Sequence, residues 1–123
     1  MIAYSLDAES SILYVWPKSS LEKSDFEDLA AAADPYIEKN GGLAGLIIET
    51  PAFPGWDSLG ALAAHFRFVR DHHKRIRRIG LVTDAAAVAT VAERLASHFV
   101  SAEIKHFPAG QREAAKQWIV RAH

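Results

Sequence analysis

Two strand-length segments separated by a helix-length stretch constrain the fold of this chain more than any other sequence feature. Leu43 to Ile48 is apolar throughout, which is typical of a strand covered on both faces, and Ile76 to Thr83 forms a second buried-strand pattern. Between them, apolar residues at helical spacing predict a helix from about Ser58 to His72. A strand, helix and strand in this order predict two parallel strands joined by a right-handed crossover.

The remaining elements extend this pattern in both directions. Ile2 to Leu6 and Ile12 to Trp16 are β-rich runs that predict an antiparallel hairpin. A helix is expected to begin at a capping box formed by Ser24 and Glu27, and Pro35 is expected to kink or split that helix. Further patterns predict a helix from Ala85 to Phe99, an edge strand from Glu103 to Phe107 and a last helix containing Trp118.

The resulting order, β-β-α-β-α-β-α-β-α, predicts an α/β fold with a mixed five-stranded sheet and about four helices. The chain has 123 residues, half of them apolar, which suits one domain over residues 1–123. A formal net charge of -1 gives no general attraction to nucleic acid, and neither a signal peptide nor a transmembrane segment is expected. The absence of cysteine fits a reducing cytoplasm, which is the expected location. With no cysteine and poor histidine spacing, no metal or other cofactor is predicted.

The segment from Glu49 to Leu62 is the strongest candidate for a functional site, because it follows a buried strand at the carboxyl edge of the predicted sheet. Aromatic residues in and after it can line a site for a small apolar ligand, but ordinary core packing accounts for the same side chains. These aromatic candidates are Phe53, Trp56, Phe66 and Phe68.

Four motifs follow one another along the chain: Gly-Leu-Ile-Ile-Glu at 45–49, Phe-Pro-Gly-Trp at 53–56, Arg77 to Asp84, and Glu113 to Ile119. Together they resemble the SpoIIAA-like family of the STAS superfamily, whose members are also called STAS/SEC14-like domains. The resemblance implies a STAS-type fold and a bacterial cytosolic protein. It implies no common reaction.

STAS anti-sigma-factor antagonists carry a serine at the start of a helix after a central strand, and its phosphorylation switches partner binding. Asp57-Ser58 resembles the start of that motif, which implies a regulatory module with Ser58 as phosphoacceptor and an unknown protein partner. Leu59 departs from the family motif, and Asp57 can instead be an ordinary N-cap with Ser58 in the solvated first turn. The alternative function is carriage of a small lipophilic ligand, as in SEC14-like proteins.

An enzyme is the least supported class. Glu49 and Asp84 follow neighbouring strands and can in principle share acid–base chemistry, but acids at strand ends more often cap helices. No phosphate loop, nucleophile elbow or zinc-protease motif is present in the sequence. A homodimer is also predicted, either through the edge strand from Glu103 to Phe107 or through a patch around Trp56.

Overall fold

The computed structural model describes residues 1–50, 64, 65, 67, 68, 71–83 and 103–121. Its elements are β1 (Ile2–Asp7), β2 (Ile12–Pro17), α1 (Lys23–Asn40), β3 (Leu43–Glu49), a 3-10 turn (His73–Arg75), β4 (Ile76–Val82), β5 (Glu103–Phe107) and α2 (Arg112–Arg121). The five strands form one sheet in the order β1-β2-β3-β4-β5. The β1 strand pairs antiparallel with β2 and all other pairs are parallel, which confirms the predicted mixed sheet.

Helix number is the part of the prediction that the structure covers incompletely. Two α-helices are described from end to end, and the described residues between Ala64 and His72 are helical as the sequence predicts. The helix expected from Ala85 to Phe99 lies outside the described residues.

Apolar side chains cover both faces of the sheet and so form two clusters. The cluster on the α1 side contains Leu13, Val15, Leu29, Ala33, Ile37, Leu43, Leu46 and Ile76. The cluster on the α2 side contains Ile12, Ala44, Ile47, Val82, Phe107, Ala115 and Ile119. Neighbouring residues of β2 and β3 fall into different clusters because successive side chains of a strand point to opposite faces.

Gly45 near the start of β3 lets α2 lie close to the sheet. The amides of Ala44 and Gly45 both donate to the carbonyl oxygen of Ser11, which is the pattern of an extra residue in one strand. A Cβ atom on Gly45 would lie 2.5 Å from Cδ1 of Ile119. Glycine at position 45 therefore makes room for Ile119, which is almost fully buried.

The start of α1 differs from the sequence prediction. Glu22 is the N-cap and Asp25 occupies the third helical position, so the predicted capping box of Ser24 and Glu27 is wrong. The Asp25 carboxylate accepts hydrogen bonds from the Glu22 amide at 2.8 Å and from the Ile2 amide at 3.2 Å. The bond to Ile2 ties the helix start to β1, and this tertiary contact explains why the box forms earlier in the chain.

The α1 helix continues through Pro35 to Asn40, so the prediction that proline splits it is wrong. Proline removes a backbone donor and normally destabilises a helix interior. Ala33 and Ile37 flank Pro35 and are both buried in the α1-side cluster. We infer that packing of these two turns on the sheet offsets the lost hydrogen bond.

Candidate functional site

The carboxyl ends of β2, β3, β4 and β5 meet at one edge of the sheet, because these strands are parallel. Ligands of open α/β sheets bind outside this edge. In the described part of the chain, side chains from three elements meet here: Trp16 from β2, Glu49 from β3 and Arg112 from the first turn of α2.

Glu49, the last residue of β3, connects the neighbouring elements at this edge. The indole N–H of Trp16 donates to Glu49 Oε1 over 2.8 Å. The guanidinium of Arg112 lies 3.4 Å from the same oxygen, and the side chains of Glu49 and Arg112 are 27% and 52% exposed. The carboxylate therefore holds the end of β2 and the start of α2 against β3.

Trp16 is also part of an aromatic pair. Its ring stacks on that of Tyr14 with centroids 6.1 Å apart and planes 12° from parallel. Both rings are half-buried, and Tyr14 packs against the α2-side cluster. Burial raises the pKa of Tyr14, the cations of Lys116 and Arg112 act against that rise, and Asp7 and Glu113 add to it.

We call Tyr14, Trp16, Glu49 and Arg112 the Trp16 surface. It presents two aromatic rings and a partly exposed cation, and its conformation is fixed by hydrogen bonds within the protein. Aromatic residues and arginine are enriched among the residues that dominate the energetics of protein interfaces. The arrangement therefore has the composition of a binding surface.

Of this surface, the sequence indicates only Glu49, as a possible acid–base group. In sequence, Trp16 and Tyr14 are ordinary strand residues and Arg112 has no distinguishing pattern. The available signal was an aromatic residue just before Pro17, at the end of a strand that enters the parallel part of the sheet. The partners at 49 and 112 are distant in sequence, and no local pattern indicates them.

Two buried threonines follow β3 and β4 at the carboxyl edge. Thr50 and Thr83 are 8% and 3% exposed. The Thr50 amide donates to the carbonyl oxygen of Val82, and the Thr83 amide donates to that of Phe107. The ring Nε2 of His106 donates to the carbonyl oxygen of Thr83 at 2.5 Å. Hydrogen bonds therefore fix the backbone at Thr50, the second residue of the predicted site segment, and at Thr83.

Most of the predicted site residues lie outside the described residues. These are Phe53, Trp56, Asp57, Ser58 and Phe66, and Asp84 of the possible carboxylate pair lies outside them too. The structure consequently gives no geometry for the proposed phosphoacceptor or its capping acid.

Phe68 is the member of the predicted site that the structure describes. Its ring stacks on His72 with centroids 4.1 Å apart and lies 6.3 Å from the ring of Phe26. It packs against the α1-side cluster and against a third, smaller cluster of Leu21, Phe26 and Ala64. Phe68 therefore packs its own helical segment against α1 and contributes to the core.

Two histidines border Phe68 without forming a metal site in the described chain. His65 stacks on Phe26 at 4.9 Å, and burial lowers the pKa of His65. His72 is 7% exposed; its Nδ1 donates to the Phe68 carbonyl oxygen at 2.7 Å and its Nε2 lies 2.6 Å from Asp34 Oδ1. Across residues 1–50, 64–83 and 103–121, as far as they are described, no three metal-ligating side chains cluster together.

No helix in the described ranges has both the length and the apolar character needed to cross a membrane.

Comparisons with known proteins identify the family. The family model described as SpoIIAA-like matches residues 12–120. Among solved structures, an uncharacterized protein of the DUF3478 family with a SpoIIAA-like fold, from Shewanella loihica PV-4, matches with a TM-score of 0.76 and 20% sequence identity. The match covers 96% of this chain and 93% of that chain, and at this identity it shows the fold. Among curated proteins, none matches. Because the family model spans most of the chain and the fold agrees with it, this protein belongs to the SpoIIAA-like family.

Proposed function

We propose that this protein is a non-enzymatic regulatory module that binds a protein partner through the Trp16 surface. Membership of the SpoIIAA-like family supports a regulatory or binding module in general. The observation that carries the finer proposal is the stacked, half-exposed pair of Tyr14 and Trp16, which Glu49 holds in place at the carboxyl edge.

The physical reason is preorganisation. A partner gains most from aromatic and arginine side chains that are already ordered, because little conformational entropy is then lost on binding. Trp16 is fixed by its hydrogen bond to Glu49, and Arg112 keeps about half of its side chain exposed. The surface can therefore offer an apolar contact and a positive charge at low entropic cost.

The proposed switch is phosphorylation of Ser58, which follows from the resemblance to anti-sigma-factor antagonists. Ser58 belongs to the segment that leaves the sheet at Thr50, and the backbone of Thr50 is fixed to Val82. A phosphate would add negative charge to this segment and so change its affinity for the partner. An intact-mass measurement that never finds phosphate on Ser58 in cells would remove the switch from the proposal.

Two other classes have less support. Glu49 is the described member of the possible catalytic pair, and its hydrogen bond to Trp16 and contact with Arg112 favour a structural role over acid–base work. For carriage of a lipophilic ligand, the described candidate is Phe68, whose ring is occupied by contacts with Phe26 and His72.

The test is site-specific photocrosslinking in the native host. A photoreactive phenylalanine analogue replaces Tyr14 or, as the matched control, Tyr36, which is half-buried in α1 and so belongs to the opposite face of the sheet. We expect a discrete crosslinked protein from position 14 and not from position 36, and we expect the purified partner to bind Trp16→Ala at least tenfold more weakly. Equal crosslinking at both positions, or unchanged affinity of a folded Trp16→Ala variant, would refute the proposal.

A further inference from the structure

The two edge strands of the sheet, β1 and β5, can be compared by the backbone groups that they present. The carbonyl oxygen of Met1 accepts a hydrogen bond from the Lys18 amide, which fixes the side of β1 that faces β2. Because backbone groups alternate between the two sides of a strand, Ala3, Ser5 and Asp7 face β2. Ile2, Tyr4 and Leu6 therefore direct their N–H and C=O groups away from the sheet.

Contacts with α1 confirm this alternation and cover only the ends of the strand. The outward amide of Ile2 donates to Asp25 Oδ1 at 3.2 Å, and the hydroxyl of Tyr36 donates to the carbonyl oxygen of Ala8 at 3.3 Å. Between these points Tyr4 is 42% exposed. Within the ranges that the structure describes, no hydrogen bond reaches the outward groups of Tyr4 or Leu6.

These outward groups are complementary to those of a second copy of the chain. When two β1 strands pair antiparallel with Tyr4 opposite Leu6 of the second copy, every outward N–H and C=O of both residues finds a partner. Ser5 then lies on the two-fold axis opposite Ser5 of the second copy. Serine is small and uncharged, so nothing at the centre of this pairing opposes it.

The equivalent register, with the middle residue of the strand on the two-fold axis, is unfavourable at the other edge. The carbonyl oxygen of Phe107 faces β4, where it accepts from the Thr83 amide, so Ile104 and His106 direct their backbone groups outward. Pairing Ile104 with His106 of a second copy places Lys105 opposite Lys105. Like charges opposite one another destabilise a strand pair, and lysine is a common protection of edge strands.

We propose that the protein forms a homodimer through antiparallel pairing of its β1 edges, which joins the two five-stranded sheets into one. In this register the charge comparison favours β1 over β5, which is one of the two homodimer surfaces predicted from the sequence; the other, around Trp56, lies outside the described residues. The dimer uses neither Trp16 nor Arg112, so it stands independently of the proposed function.

The molar mass in solution tests this proposal through one edge amide. Wild-type protein in light scattering and sedimentation should have twice the monomer mass of 13.5 kDa. Tyr4→Pro removes an amide that does not bond to β2, and proline is tolerated at such edge positions, so this variant should be folded and monomeric. Tyr4→Ala keeps the amide and should remain dimeric, and Ile104→Pro, the equivalent change in β5, should remain dimeric as well.

A single engineered cysteine provides a second test that does not depend on how proline is tolerated. The chain has no natural cysteine, and residues opposite each other in a non-hydrogen-bonded antiparallel pair have Cα atoms about 4.5 Å apart, which suits a disulfide. Ser5→Cys should therefore form a covalent dimer on mild oxidation. Ala3→Cys on the same face should not, because Ala3 lies opposite Asp7 of the second copy.

The proposal would be overturned if the wild-type protein is monomeric and the Ser5→Cys variant forms no disulfide. It would be overturned even if the β1 edge binds an extended peptide of another protein. A dimer that Ile104→Pro abolishes and Tyr4→Pro leaves intact would assign the interface to β5 and would overturn it too.

Discussion

The hydrogen bond between Trp16 and Glu49 joins the ends of β2 and β3, and we expect its removal to destabilise the fold measurably. The indole donates to the carboxylate over 2.8 Å. Hydrogen bonds to charged groups contribute about 1.5–3 kcal/mol to stability. The penalty for leaving one partner without its hydrogen bond is smaller when water can take the place of the lost group. Because the Glu49 side chain is 27% exposed, we expect a loss of about 1–2 kcal/mol.

The ion pair on the same carboxylate should matter less. Arg112 lies 3.4 Å from Glu49 Oε1, and its side chain is 52% exposed. Exposed ion pairs contribute about 0–1 kcal/mol and are weakened by salt. Arg112→Gln should consequently change the free energy of unfolding by less than about 0.5 kcal/mol, and added salt should shrink even that difference.

A double-mutant cycle in urea unfolding separates the hydrogen bond from other effects of the same substitutions. Trp16→Phe keeps an aromatic ring but removes the donor, and Glu49→Ala removes the acceptor. We expect a coupling free energy of about 1–2 kcal/mol between the two changes, within the range for residues in direct contact.

The matched control replaces Trp118, whose ring lies 4.6 Å from the Arg78 guanidinium and which has no contact with Glu49 among the described interactions. The effects of Trp118→Phe and Glu49→Ala should add to within about 0.5 kcal/mol. If Trp16→Phe and Glu49→Ala are equally additive, the hydrogen bond does not stabilise the carboxyl edge and our account of the Trp16 surface fails.

Two further predictions concern the scaffold. Gly45→Ala should lower the free energy of unfolding by about 1–3 kcal/mol, since the new Cβ would lie 2.5 Å from Ile119 Cδ1. Gly80→Ala should cost less, because the nearest atom to its new Cβ is the Ala115 Cβ at 3.2 Å. Urea titration of both variants checks this order, and an equal cost would contradict it. Burial raises the pKa of Asp25, but hydrogen bonds to its carboxylate outweigh this and hold the pKa below its ordinary value of 3.8. The ionised Asp25 carboxylate therefore stabilises the fold fully at neutral pH. This stabilisation is lost as the pH falls from 3.8, the pKa of Asp25 in the unfolded chain, through its lower pKa in the folded protein. The stability difference between wild type and Asp25→Asn should shrink over that acid range, and a constant difference would exclude this role.

Local patterns were sufficient to predict the sheet. The order and type of the strands follow from apolar runs and turn residues, and β5 begins and ends where sequence analysis places it. The strands β1, β2 and β3 each continue one residue further than predicted, to Asp7, Pro17 and Glu49, and β4 ends one residue earlier, at Val82. Polar residues such as Asp7 and Glu49 look like loop residues in sequence, and only their backbone hydrogen bonds assign them to strands.

The start of α1 could not be predicted in the same way. Two acid-containing pairs compete as capping boxes, Ser24 with Glu27 and Glu22 with Asp25. Local propensity favours the first, because serine is a better N-cap than glutamate. The second forms because Asp25 also accepts from the amide of Ile2, and a contact across more than twenty residues has no local signature.

The Trp16 surface could not be predicted from the sequence, for a related reason. In sequence, Glu49 is a possible catalytic acid because it and Asp84 follow neighbouring strands. Its neighbours in space are an indole and a guanidinium, brought to it by the parallel pairing of β2 with β3 and by the position of α2. These two donors account for the Glu49 carboxylate as a group that holds the structure together. Neither donor is near Glu49 in the sequence, so the sequence alone does not indicate this role.

Stability and partner binding should therefore respond to different substitutions at the carboxyl edge. Gly45→Ala disturbs packing under α2 and leaves the side chains of the Trp16 surface unchanged, so it should weaken the fold with little effect on the affinity of the molecules that remain folded. Trp16→Ala removes the aromatic contact itself and should weaken binding even under conditions where the protein is fully folded. If both variants reduced affinity in proportion to their loss of stability, the surface would act only as part of the scaffold.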